Sequence, residues 1–506
     1  MRSIIKITLS FKLITLFILF NYTMQAQTKE LGIFEESTNI GNPKLEGTIQ
    51  YQAETQQYLM SGSGINMWST SDQCNFVWKK MKGDFILTAQ SDFIGEGKEL
   101  HRKLGWMLRN SLDSNAVHLN ISILGDGLTS IQYRKAVGQA TEETRMTAKL
   151  PNIIQIERKG KECIISVAKY GEKFVSESIN ADFINNEVYV GLFVCAHNAN
   201  NMEQVKYTNV RIEVPAGEKL VPYKDYLGSH LEILDIETGN RTIRYSVKNS
   251  LQAPNWTVDG KSLIYNSDGL LYNFDIKTGV PTVLNTDFAN KNNNDHVLSF
   301  DGKMLAISHH SSTDEGKSII YVLPAEGGKP QRVTKTGPSY LHGWSLDKKE
   351  LVFAGQRNNI FDIYKVDIAT GNETQLTSHN GLNDGPEYTP DGKYIYFNSN
   401  RTGTMQIWRM KPDGSNQEQI THGELNDWFP HISPDGKWIV FISFPKEVPS
   451  GDHPFYKKVY LMLMPFTGGE PKVIAYLYGG QGTINVPSWS PDSKKIAFVS
   501  NTDLGK

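Results

Sequence analysis

Four ionisable side chains occupy matching places in four successive copies of one repeat: His296, His342, Glu387 and His431. A slot between a proline and an aromatic residue is small or neutral at Asn255, Val297, Gly343 and Ser488. The same slot holds Glu387 in the fourth copy and His431 in the fifth. The preceding slot, usually proline, is His296 in the second copy and His342 in the third. Several chemistries fit such a set. Three imidazoles and a carboxylate would hold a divalent metal ion such as Zn²⁺ or Mn²⁺, the cofactor these residues imply. Glu387, His431 and His342 could instead act as a catalytic acid–base group. The same groups could hydrogen-bond a polar ligand, or one another and water in a wet channel.

Other residues could bind substrate. Arg357 and Arg401 carry guanidiniums that match a carboxylate or sulfate bidentately, or that brace loops. Asp384, Asp427 and Asn485 lie just before innermost strands, and Trp428 with Phe429 would stack on a sugar ring if exposed. His309, His310 and His453 stand in loops between second and third strands, the last in a long insertion over residues 444–456 that could lid the site.

The repeat is what would bring these groups together. Its turns centre on Asp259, Asp301, Asp347, Asp391, Asp435 and Asp492, mostly some forty-odd residues apart and flanked by strand-like alternation. That period predicts six β-propeller blades. The innermost strand of each blade ends at its Asp turn on one face, so the residues before it share the opposite mouth. An outer-strand phrase ending Asp235-Ile236-Glu237-Thr238-Gly239 returns at 275–279 and 367–371. Its first copy precedes any inner strand, so it is expected to complete the last blade and remove the open edges.

The phrases Pro386-Glu387-Tyr388-Thr389-Pro390-Asp391-Gly392 and Pro487-Ser488-Trp489-Ser490-Pro491-Asp492 resemble the blade openings of TolB-like propellers with WD40-like repeats. The resemblance covers residues 228–506. It implies either docking of a cell-envelope protein across the ring or, as in related polysaccharide lyases, histidines and a metal at the mouth. In the lyase form His431 or His342 is the base, Glu387 orients it or ligates metal, and Arg357 or Arg401 holds a uronate carboxylate. Six blades depart from the seven of oligogalacturonate lyases.

Residues 31–214 show alternating strands without that period, which predicts a β-sandwich. Gly83-Asp84-Phe85, residues 101–107, Gly125-Asp126-Gly127 and residues 190–194 resemble concanavalin A-like domains of the DUF1349 type, which implies a glycan accessory module. His101, Arg102, Lys103 and Arg109 around Trp106 could touch an anionic glycan or simply flank a core tryptophan.

The fold class expected is therefore all-β: residues 1–26 a signal peptide, 27–218 the sandwich and 219–506 the propeller. The signal rests on Arg2 and Lys6, the apolar stretch 13–20 and Ala26. It predicts a periplasmic or secreted protein with no stable membrane span once the signal is removed. A net charge of −2 argues against nucleic acid as a partner. Cys74, Cys163 and Cys195 match no metal spacing; one pair could bridge or all could be buried thiols. No phosphate loop, His-Glu-x-x-His helix or Gly-x-Ser-x-Gly elbow occurs. The reading is an exported protein that binds or cleaves a polysaccharide or oligosaccharide, anionic by expectation. The alternative is a non-catalytic envelope scaffold.

Overall fold

Each repeated turn is locked by its own side chains. Ser299 Oγ donates to Asp301 at 2.7 Å, and the same carboxylate accepts the Lys303 backbone N–H at 3.2 Å. The pattern recurs from Thr257–Asp259 to Ser490–Asp492. The residue after each Asp takes a left-handed conformation, as at Gly302 with φ 67°, which glycine adopts without steric cost. Lys348 and Ser493 accept that conformation without being glycine.

A computed structural model describes residues 31–378 and 381–505; the segment read as a signal peptide lies outside them. The described residues are all-β, apart from a single 3₁₀ turn at Ser312–Asp314. Five four-stranded antiparallel sheets run in chain order from Gln252–Trp256 to Lys472–Gly479. A sixth sheet pairs Lys495–Thr502 with Gly228–Asp235, which in turn pairs with Arg241–Val247. Its inner segment makes only the bridge between Trp489 and Ile496. The result is a six-bladed propeller. Trp256, Trp344 and Trp489 pack between blades, and the Trp344 indole N–H reaches the Val297 carbonyl at 2.8 Å.

The inner strand is irregular in five blades. The register slips between Gln252 and Asn255, Asn292 and His296, Leu341 and Gly343, Asp384 and Glu387, and Trp428 and His431. A bulge of this kind turns the residues beyond it away from the face shown by those before it.

The N-terminal strands form two seven-stranded sheets sharing one core, in which Trp106, Ile121 and Leu192 of one sheet meet Leu87, Ile156 and Tyr207 of the other. Trp106 is fully buried, Arg102 pairs with Glu203 at 2.8 Å, and Arg109 pairs with Asp72 at 2.7 Å. Those bases are thus committed inside the sandwich. All three cysteines are buried and free.

The sandwich packs against the fifth and sixth blades. Gln56 exchanges two 2.9 Å bonds with the Ile243 backbone as an added strand would, and Phe174 packs on Tyr476 at 4.6 Å. At the junction, Glu232 lies wholly buried between Arg211 of the sandwich and Arg241 of the propeller, each 2.6 Å away.

Candidate functional site: the propeller mouth

At the end where inner strands begin, the ring opens into a cavity of about 590 Å³. Its wall combines side chains at or before the bulges, such as Asp295, His342 and Asp384, with Asp268 from a second-to-third-strand loop and His310 from the end of a second strand. The long insertion contributes His453 and Phe455, and the interdomain linker adds Tyr223 and Tyr226. At the opposite end, where the repeated turns gather, a second cavity of about 420 Å³ is lined by Val258, Phe300, Leu346 and the turn prolines.

The mouth holds a connected ionisable cluster. His342 Nε2 stands 3.2 Å from Asp384 Oδ1, and His453 Nε2 is 4.0 Å from Asp384 Oδ2. His453 Nδ1 faces Gln481 Oε1 at 2.6 Å. The His342 ring stacks on Phe429 at 5.9 Å, which fixes its plane. Burial, the largest influence on His342, favours the neutral ring. The hydrogen bond to Asp384 and the charge of Asp295 outweigh it and hold the imidazole above its ordinary range. Burial likewise opposes ionisation of Asp384, yet His342 and His453 keep that carboxyl below the usual range. Asp295 is different: burial, reinforced by Asp384 and only partly offset by His342, pushes its carboxyl up to about 7. One mouth thus holds a carboxyl that carries a proton near neutrality beside one that has lost it, the division of labour an acid–base pair needs.

The expected set divides. Glu387 and His431 do meet: His431 Nδ1 lies 2.6 Å from Glu387 Oε2, and Glu387 Oε1 accepts the Ile432 N–H at 3.2 Å. The other ring nitrogen faces the Ile484 carbonyl at 2.8 Å, so making both bonds at once needs two N–H donors. The pair lies beyond the bulges, and Glu387 faces the lower cavity. His296 is fully buried and bonds the Ile264 carbonyl of the neighbouring blade at 3.1 Å. His296, His342, His431 and Glu387 therefore do not converge as a ligand set. Among the described residues no three His, Cys, Asp or Glu side chains share a metal-holding geometry.

The substrate-binding residues divide too. Asp384 and Asn485 line the mouth. Arg357 is bidentate to Glu373 at 3.0 Å and lies over Tyr364 at 5.4 Å. Arg401 is bonded to Ser399, Gln417 and Asn383 and lies over Trp408 at 4.6 Å. Both arginines brace blades and neither lines the mouth. Trp428 is fully buried under His453, whose ring is 4.4 Å away, so it offers no exposed platform; Phe429 takes that place in the wall. Asp427 turns inward to accept the Ser443 hydroxyl at 2.6 Å, and burial raises its carboxyl to about 6. Asp295 stood in a pre-strand segment, but nothing in its local sequence foretold its burial. Tyr223 and Tyr226 carried no signal, because they lie in a linker outside the repeat.

A family model described as the TolB beta propeller domain matches residues 342–450. An uncharacterized protein of Agrobacterium fabrum is 47% identical over 272 residues, which make up 54% of this chain and 92% of that protein. The chain belongs to the TolB-like β-propeller family. The solved structure of "putative TolB from Agrobacterium tumefaciens" shares 46% identity, covers 55% of this chain and 100% of that one, and superposes with a TM-score of 0.53. TolB from Acinetobacter baumannii is 16% identical over 64% of this chain and 79% of its own, with a TM-score of 0.40. The segment matched by the TolB model carries His342, Asp384, Glu387 and His431, while Asp295 precedes it.

Three buried carboxyls should stabilise this TolB-like chain less as pH rises. Asp295 and Asp427 are lifted from 3.8 to about 7 and about 6, and burial lifts Glu213 from 4.5 to about 7. Raised folded-state values mean that the native chain binds these protons more tightly than the unfolded one. Their contribution is complete below about pH 4 and lost on passing 6 to 7. Asp72 and Asp384, held low, contribute with the opposite sign and are lost only in acid. Burial lowers His118, His230 and His296 to about 3, about 4 and about 4, and their contribution runs the other way, growing as pH rises to about 6.5. Glu213→Gln should therefore raise the urea midpoint at pH 8 relative to that at pH 5 when compared with the unaltered chain; an unchanged difference would remove Glu213 from the account.

Proposed function

We propose that this is an exported glycan-handling protein whose propeller mouth takes up a short stretch of polysaccharide, with the sandwich as an accessory module. The observation that carries the reading is the mouth cavity itself. Aromatic faces at Tyr340 and Phe361 stand in one wall with the amide groups of Asn293 and Asn485 and the acid–base cluster Asp295–His342–Asp384. Aromatic faces for sugar rings, amides for hydroxyls and one protonated carboxyl make a site that could bind a glycan and cleave it. Its size lies within the range of small-ligand sites, roughly 300–1,000 Å³.

Hydrolysis suits this wall better than elimination. A lyase needs a cation at the uronate carboxylate, and Arg357 and Arg401 are both committed elsewhere. Asp295 is the proton donor in this reading, with Asp384 holding His342 in place. Incubation with neutral and uronate polysaccharides, read as new reducing ends against unsaturated uronate products, separates the two reactions. Asp295→Asn should lower the hydrolytic rate by about 100-fold. No binding and no product from any glycan would end the reading. Family membership favours a second one, a TolB-like scaffold docking an envelope protein. Stoichiometric capture of one such protein, without glycan affinity, would establish it.

A further inference from the structure

We propose that the glycan accepted at the mouth carries a free ammonium group, as a deacetylated hexosamine does, seated at Asp384 beside Asp295. This rests on the glycan reading above and names its substrate class.

The charge of the wall comes first. Asp268, Asp295 and Asp384 all line the cavity, and no lysine or arginine does among the described residues. Two of the three wall histidines are engaged, His342 by Asp384 and His453 by Gln481, and the third, His310, bonds the Gly316 carbonyl through Nδ1 at 3.1 Å. A uronate or sulfate would face carboxylates with nothing to pair it, whereas an ammonium meets acceptors on several sides.

An independent feature points the same way. Asn292, only 5% exposed and in the cavity wall, donates both amide hydrogens, to the Gly269 carbonyl at 3.0 Å and the Ala289 carbonyl at 2.6 Å. Those two bonds fix the orientation of the amide and leave Oδ1 as a buried acceptor with no donor. Asn294, equally buried and also in the wall, has an amide nitrogen without an acceptor. Buried polar atoms are rarely left unpaired, and both belong to residues of the wall, so a small side-chain shift would present one acceptor for an N–H and one donor for a hydroxyl. A 2-amino sugar presents that pair on adjacent carbons. The half-buried Tyr340 ring adds a face that attracts cations.

The test uses the full chain and three tetramers with the same β-1,4 backbone: glucosamine, N-acetylglucosamine and glucose. Titration calorimetry should show the glucosamine tetramer binding about tenfold or more tightly than the other two. Asp384→Asn, checked for intact folding by thermal unfolding, should remove most of that preference. Equal binding of all three would leave the glycan reading standing and overturn the ammonium. A glucosamine preference that survives Asp384→Asn would place the cation elsewhere and overturn it too. Binding of none would bring down the glycan reading itself.

Discussion

Glu232→Ala is expected to destabilise the folded chain by about 3–5 kcal/mol, the largest effect of any single substitution at the junction between sandwich and propeller. Glu232 is fully buried and accepts from Arg211, Arg241 and the Ser500 hydroxyl, the last at 2.6 Å. Burial works against its ionisation, but the two guanidiniums outweigh burial and hold the carboxyl far below the usual range. Removing the carboxylate leaves two guanidiniums facing each other in a buried site. Arg241 would keep the Tyr476 carbonyl at 2.8 Å and the charge of nearby Glu213, and Arg211 the carbonyls of Val210 and Arg241. Replacing all three residues by apolar ones of similar volume should cost far less, because no charge is then stranded. Urea unfolding followed by tryptophan fluorescence and by proteolysis tests this. In Glu232→Ala the propeller and sandwich transitions should also separate, since the network joins them. A midpoint shift equivalent to less than about 1 kcal/mol would mean that water reaches the arginines and that the junction is held by apolar packing instead.

The blades were legible because their signal is local and repeated. Ser299, Asp301 and Gly302 each satisfy a backbone or side-chain demand within five residues, and the same demand recurs along the chain. The mouth was only half legible, and the bulges explain why. Reading by repeat position puts His296, His342, Glu387 and His431 in two adjacent slots facing one mouth. In the folded strands a register slip falls at those slots, leaving His342 in the mouth and Glu387 and His431 beyond it. Glu387 and His431 consequently turn to each other and to the Ile484 carbonyl, and His296 turns into the neighbouring blade. Phe429 at φ 54° and Gly385 at φ 60° mark where the backbone bends, yet only the glycine announces such a conformation in sequence. The long-range part was invisible for another reason. That Asp295 of the second blade would feel His342 of the third and Asp384 of the fourth depends on burial, which no local pattern encodes.

Glu387→Ala separates the two halves of the channel. The substitution removes the acceptor of His431 Nδ1 at 2.6 Å and of the Ile432 N–H at 3.2 Å, both buried between the fourth and fifth blades. Stranding an imidazole and a backbone donor there should cost about 3 kcal/mol of stability, and Glu387→Gln, which keeps one acceptor, about half as much. Ligand affinity at the mouth should move far less than in Asp384→Asn, because Glu387 faces the lower cavity while Asp384 faces the upper one. Chemical denaturation and titration with the glucosamine tetramer, run on the same preparations, give both readouts. The opposite pattern, intact stability with lost affinity or turnover, would move the chemistry to the Glu387–His431 pair. The mouth cluster around Asp384 would then be its entrance.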